Sequence, residues 1–124
     1  MKKIVAFASL AALILTCGCS SEIPTFPVEG TVSFKGQPLP KGEIYFDPDA
    51  SLKGPQGRAI INDGKFSTKD QKSGVVAGKY QVRVHGFDGK PRQEAPYGLA
   101  IFPAYETTME LQTGKSLTIE VPGK

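Results

Sequence analysis

Residues 79–86, Lys79-Tyr80-Gln81-Val82-Arg83-Val84-His85-Gly86, alternate polar and apolar side chains from Lys79 to His85. A period of two puts Tyr80, Val82 and Val84 on one face of an extended strand and Gln81, Arg83 and His85 on the other. A helix would scatter the same residues around its axis. One face is expected in a core and the other, with His85, in water. The same period governs Phe26 to Lys35, where Val28, Gly30, Val32 and Phe34 oppose Glu29, Thr31, Ser33 and Lys35.

Shorter runs repeat the pattern at Glu43–Asp47 (Ile44 and Phe46 inward), Gly57–Ile61, Gly64–Thr68 around Phe66, Thr107–Leu111 and Leu117–Val121. Turn residues separate them. Gly36, Pro38, Pro40 and Gly42 punctuate Lys35–Gly42, and Pro48 ends the second run because proline cannot donate to a ladder. Asp49–Gln56 reads as an exposed loop. Asn62-Asp63-Gly64 is a hairpin signal, since Asp-Gly suits a turn with positive φ. Lys69–Gly78 is polar, with Val75 and Val76 as its packing anchor, and Thr113-Gly114 turns the chain before the last run. Phe87–Tyr105, which carries Pro91, Pro96 and Pro103, is the longest stretch without a period, and long loops often carry function.

Seven short strands and no helix predict an all-β domain over residues 26–124. The expected architecture is a seven-stranded immunoglobulin-like, transthyretin-like (prealbumin-like) sandwich. The Cys…Trp…Cys core of a true immunoglobulin domain is absent. Val32, Phe34, Ile44, Phe46, Phe66, Tyr80, Val82, Val84, Leu117 and Ile119 are the expected core.

The chain's 124 residues suffice for one domain, and 40% hydrophobic content is that of a folded one. The formal charge of +3 falls to about +1 once Lys2 and Lys3 are set aside. The remaining Lys and Arg are interspersed with Asp and Glu, with no basic stripe carrying interleaved aromatics, so no nucleic-acid partner is expected.

Met1-Lys2-Lys3 is a short positive segment, and Ile4–Leu15 is apolar apart from Ser9. At about 12 residues that run is too short to cross a ~30 Å hydrocarbon core and has the length of a signal-peptide core. Thr16-Cys17-Gly18-Cys19-Ser20-Ser21 follows. A disulfide between Cys17 and Cys19 would be strained, and a metal site would lack partners, because His85 is the single histidine and no third cysteine exists. The segment resembles a bacterial lipobox, in which a small residue precedes the modified cysteine. Gly18 before Cys19 fits that position. Cys17 is the alternative, with Ile14 and Leu15 well placed but Thr16 poorly so. Cleavage without lipidation, leaving a secreted protein, is a third reading. The expected organisation is a signal peptide over 1–18, a lipidated tether over 19–25 and the sandwich beyond. Two or three palmitate-class acyl chains anchor a protein stably without a transmembrane helix.

No constellation of catalytic or metal-binding residues stands out. One histidine cannot build an iron or zinc site. Ser67 and Ser73 lack the glycine-flanked elbow of a nucleophile paired with His85. Asp47, Asp49, Asp63 and Asp70 make a sparse calcium set for an ion that takes six or more oxygens. Leu117–Val121 offers no Asn or Asp for a lysine crosslink. The chain is therefore expected to be no enzyme and to hold no cofactor.

The order Val28-x-Gly30-x-Val32, Gly36-x-Pro38-Leu39, Gly42-x-Ile44-x-Phe46-x-Pro48, Asp63-Gly64-Lys65-Phe66 and Gly74-Val75-x-x-Gly78-Lys79-Tyr80-x-Val82, with Pro103-x-Tyr105 and Thr107-Thr108 leading to Gly114, resembles the transthyretin-like, carboxypeptidase-regulatory-like lipoproteins of planctomycete-type bacteria. The resemblance implies an extracytoplasmic accessory or binding domain of the cell envelope and brings no catalytic residues with it. Ser20 beside the cysteine resembles the sorting signal for an outer membrane. The expected function is a membrane-tethered structural or binding module for an envelope protein or glycan. Phe87, Tyr97, Phe102 and Tyr105 are its candidate contact residues, unless these rings pack under their own loop. A small-ligand binder serving a transporter or sensor is the alternative.

Mass spectrometry of the native protein is expected to find an acylated Cys19 at the N-terminus and no peptide from Met1–Gly18. An unmodified N-terminus further downstream would refute the anchor.

Overall fold

A computed structural model describes residues 24–123. The expected signal peptide, Cys17, Cys19 and most of the tether lie outside the described residues. The described chain is all-β. Its strands are β1 (Glu29–Phe34), β2 (Gln37–Pro38), β3 (Lys41–Pro48), β4 (Gly57–Asn62), β5 (Lys65–Ser67), β6 (Gly78–Phe87), β7 (Tyr105–Leu111) and β8 (Leu117–Val121), with one 3₁₀ turn at Thr68–Gln71.

They form one curled sheet in the order β2-β1-β5-β4-β3-β6-β7, with β8 on the other edge of β1. All pairings are antiparallel except β1 with β8, which is parallel from Gly30↔Leu117 to Phe34↔Val121. The curl turns at the β4–β5 hairpin. Asn62↔Lys65 is the only register pair there, after which β4 continues along β3 and β5 along β1. Asp63 (φ 49°) and Gly64 (φ 77°) both lie in the left-handed region that a two-residue hairpin turn requires. The two halves close on each other, so the rings of Phe46 on β3 and Phe66 on β5 meet with centroids 6.0 Å apart.

Nine of the ten expected core residues are buried; Phe34 is the exception. It sits half-buried at the rim, where its strand outruns the covering residues, and packs there on Phe102. Val28, Leu39, Ala59, Ile61, Leu111 and Val121 join the core, as do the anchors Val75 and Val76. Tyr80 is fully buried because its hydroxyl has partners: it donates to the Pro55 carbonyl (3.4 Å) and accepts from the Val76 amide (3.1 Å). Thr68 is the one buried polar residue in the core region. Its Oγ1 accepts from the Val28 amide at 2.9 Å, while its own amide donates to the Val28 carbonyl.

Several boundaries differ from the sequence expectation, each for a local reason. Eight strands form rather than seven, because the expected turn folds Gln37–Pro38 back onto Ser33–Phe34. β1 starts at Glu29 rather than Phe26, since Pro27 offers no N–H to a ladder. Phe26 instead exchanges two backbone bonds with Val75. β7 starts at Tyr105 rather than Thr107, because Tyr105 finds Val84 opposite it on β6.

The strand directions give the molecule two ends. Phe26, the Thr68–Gln71 turn and the turn 112–116 lie at the lower end. Phe34, the Asp63–Gly64 hairpin turn and the loop 88–104 lie at the upper end. Replacing Phe46 or Phe66 by Ala is expected to cost about 3–5 kcal/mol and lower the urea midpoint. The exposed Thr118→Ala is expected to shift stability by no more than about 0.5 kcal/mol, measured in the same titration.

Candidate functional site

Two groups of side chains compete as the site. The first lies on the outer face of β3, β4 and β6. The register sets Arg58, Tyr45 and Arg83 side by side across three strands, with Glu106 of β7 opposite Arg83. The Tyr45 hydroxyl donates to Glu43 Oε2 at 2.9 Å. Arg58 pairs with Glu43 at 3.6 Å and Arg83 with Asp47 at 3.4 Å. Both guanidiniums also lie over the Tyr45 ring, 5.8 and 5.2 Å from its centroid, and His85 meets that ring edge-on at 5.8 Å.

This group is mutually paired apart from the Arg83 Nε, which is buried without a hydrogen-bond partner. Each arginine faces an acid, and the tyrosine ring is covered by cations. His85 lies on the outer face of β6, partly covered by Tyr45. Ion pairs this near the surface contribute about 0–1 kcal/mol each. Asp47 is engaged by Arg83 and Gln56, and Asp49 by Ser51, whose hydroxyl and amide hold its carboxyl below the usual aspartate range. Asp63 sits at the upper end and Asp70 at the lower, so the fold does not gather the four acids considered for calcium.

The second group is built by the segment between β6 and β7. That loop is tightly bonded. Asp88 donates its amide to the Leu99 carbonyl, Gly89 to Tyr97, and Ile101 to Gly86, while Arg92 and Ala95 exchange both bonds. The Asp88 carboxylate accepts from the amides of Lys90 (2.9 Å) and Leu99 (3.2 Å). Gly98 (φ 95°) leaves room for that carboxylate, which any Cβ would strike.

The loop divides the four aromatic candidates into two pairs. Phe87 and Tyr97 stack at 5.8 Å, with the Lys41 ammonium 5.1 Å from the Tyr97 ring. Phe102 stacks on Phe34 at 4.8 Å and lies so close over Gly86 that a side chain there would overlap its ring. Tyr105 opens β7 beside it. All four rings are half-buried, and Leu99 is the large hydrophobic residue left exposed, at 51%.

Between Phe102, Tyr105 and the end of β8 runs a groove of about 410 Å³, lined by Phe34, Ile101, Phe102, Tyr105, Val121 and Pro122 together with Lys35 and Glu106. A depression of about 350 Å³ at the lower end has Glu29, Lys69 and Lys115 in its walls. Both have charged residues in their walls, but the upper groove adds the aromatic and aliphatic faces of Phe34, Ile101, Phe102 and Tyr105, apolar surface worth about 25 cal/mol per Å² covered. The upper groove is therefore the better candidate. Phe102 and Tyr105 were legible as loop aromatics. Phe34 is expected in the core and Val121 is not singled out by the sequence; the register Phe34↔Val121 between β1 and β8 is what brings them together at the groove. The chain matches no protein-family model, curated protein or solved structure.

The outer ladder makes a testable pH prediction. Burial pushes the Tyr45 hydroxyl above the ordinary tyrosine value, the bond to Glu43 and its charge add to this, and Arg58 and Arg83 pull the other way. The folded chain keeps this proton where the unfolded chain releases it. The linked stability is complete below the unfolded value of about 10 and is lost as pH rises through the raised folded value. A phenolate absorbance titration is expected to show a late component that Tyr45→Phe removes and Glu43→Gln moves to lower pH.

Proposed function

We propose that this chain is a lipid-anchored, extracytoplasmic protein whose domain, a transthyretin-like β-sandwich, acts as a non-catalytic docking module of the cell envelope. The observation that carries this reading is the apolar groove of Phe34, Phe102 and Tyr105 at the end of the domain opposite the start of the described chain. Phe26 is clamped to Val75 at the lower end. A tether over residues 19–25, about 23 Å when extended, would hold that end near a membrane and turn the groove outward. The sandwich reading is supported by β4-β3-β6-β7 lying across the core from β5-β1-β8, each half giving one apolar face. The non-catalytic reading rests on the single histidine and on an outer charged cluster whose members neutralise one another.

The groove's volume is also within the ~300–1,000 Å³ of small-ligand sites, which favours the second reading, a ligand-binding lipoprotein for a transporter or sensor. One experiment separates the two. A photo-crosslinking residue is placed at Pro103 in the groove wall, and another at Lys72 on the lower end, in the native envelope. The docking reading expects discrete protein adducts from Pro103, none from Lys72, and their loss in Ala104→Arg, which fills the groove mouth from an exposed position. Native mass spectrometry showing a retained small molecule, with no protein adduct, would overturn it in favour of the ligand binder.

A further inference from the structure

β7 is an unfinished strand. Among the described residues it hydrogen-bonds only to β6, and β8 only to β1. Every second pair of backbone N–H and C=O groups on β7 therefore faces away from any partner. Its inner face is only partly covered as well. Tyr80, Val82 and Val84 on neighbouring β6 are 0% exposed, yet Tyr105, Thr107 and Met109 beside them are only half-buried, and cover is complete only at Leu111. The edges of β7 and β8 stand opposite the β4–β5 corner, where the curl stays open. The turn 112–116 closes this seam below, and the Phe34–Phe102 groove opens it above.

We propose that an extended strand from another protein completes β7. It pairs with the open edge, lays apolar side chains on Tyr105, Thr107 and Met109, and presents basic side chains on its outer positions. This rests on reading the upper groove as a protein docking surface, and it names the partner's chemistry. The outer residues of β7 are Glu106, Thr108 and Glu110, and those of β8 are Thr118 and Glu120, all exposed. Neither strand contains a lysine or arginine. Cross-strand neighbours sit about 4.5–5.5 Å apart at Cβ, so an incoming strand meets these acids directly, where opposite charges attract and like charges repel. A second copy of this chain fits worse. Two-fold pairing over the whole of β7 centres on Thr108 and sets Glu106 against Glu110 twice.

The test uses the full chain in detergent micelles and three heptapeptide probes. One alternates valine and lysine, one valine and glutamate, and the third is the valine–lysine peptide with alternate amides N-methylated. The valine–lysine peptide is expected to bind roughly tenfold or more tighter than the glutamate peptide. It should slow amide hydrogen exchange along Tyr105–Leu111, and N-methylation should abolish both effects. Glu106→Lys combined with Glu110→Lys, both exposed positions, is expected to reverse the preference. Equal binding of the two charge types, or binding without protection of β7, overturns the proposal. So does concentration-dependent protection of β7 in the absence of peptide, which would assign the edge to a second copy. If β7 stays unprotected while Ala104→Arg still abolishes the Pro103 adducts, the docking reading survives and the strand addition falls.

Discussion

β1 is held on both edges: β8 runs parallel to it along Gly30–Phe34, while β5 and β2 share its other side. The parallel pairing joins the two ends of the described chain, so it carries the loop-closure entropy of nearly the whole domain. It also sets a steric condition. At Gly30 the Leu117 backbone comes so near that a Cβ would overlap its carbonyl oxygen. Once β8 is committed to β1, β5-β1-β8 presents Val32, Phe66, Leu117 and Ile119 to the face formed by Ile44, Phe46, Tyr80 and Val82. The curl then closes at the β4–β5 corner and stays open between β7 and β8.

That open seam organises the rest of the molecule. The lower end is tied down by the Phe26–Val75 bonds and by the reciprocal pair between Thr68 and Val28. At the upper end, apolar residues are left half-covered, and the loop between β6 and β7 is shaped around one of them. Gly86 yields its side-chain space to the Phe102 ring, and the Asp88 carboxylate pins the loop through two amides. A loop bonded in this way holds its aromatic rings at fixed positions, which lowers the entropy lost when something docks on them.

The outer ladder around Tyr45 and the upper groove show how polarity divides the work. On the outer face, arginines and acids satisfy one another across neighbouring strands, and water screens what remains. In the groove, apolar surface stays partly wet, and covering it yields free energy in proportion to area. The proposed docking surface lies where the structure leaves such a gain unclaimed. That is the seam between β7 and β8.

The strands themselves were legible in the sequence, because the two-residue period of Tyr80–Val84 and Val28–Phe34 is a local consequence of burying one face. The hairpin at Asp63–Gly64 was legible for an equally local reason, the positive φ of its turn. Phe102 and Tyr105 stood out as aromatics in a long loop. Their partners did not, because Phe34 continues an apolar alternation that reads as core and Val121 is not singled out. Only the register of β1 with β8 sets Phe34 beside Val121 and leaves Phe34 half-covered at the groove. The Tyr45 ladder was hidden likewise: Glu43, Arg58 and Arg83 each read as a solvated outer residue, and pairing across three strands makes them neighbours. Which residues turn inward can be read along the chain for all but the strand ends, since it depends on nearest neighbours. Which strand edges meet, and which are left without a partner, was decided only by tertiary structure, because it depends on pairings between residues far apart in sequence.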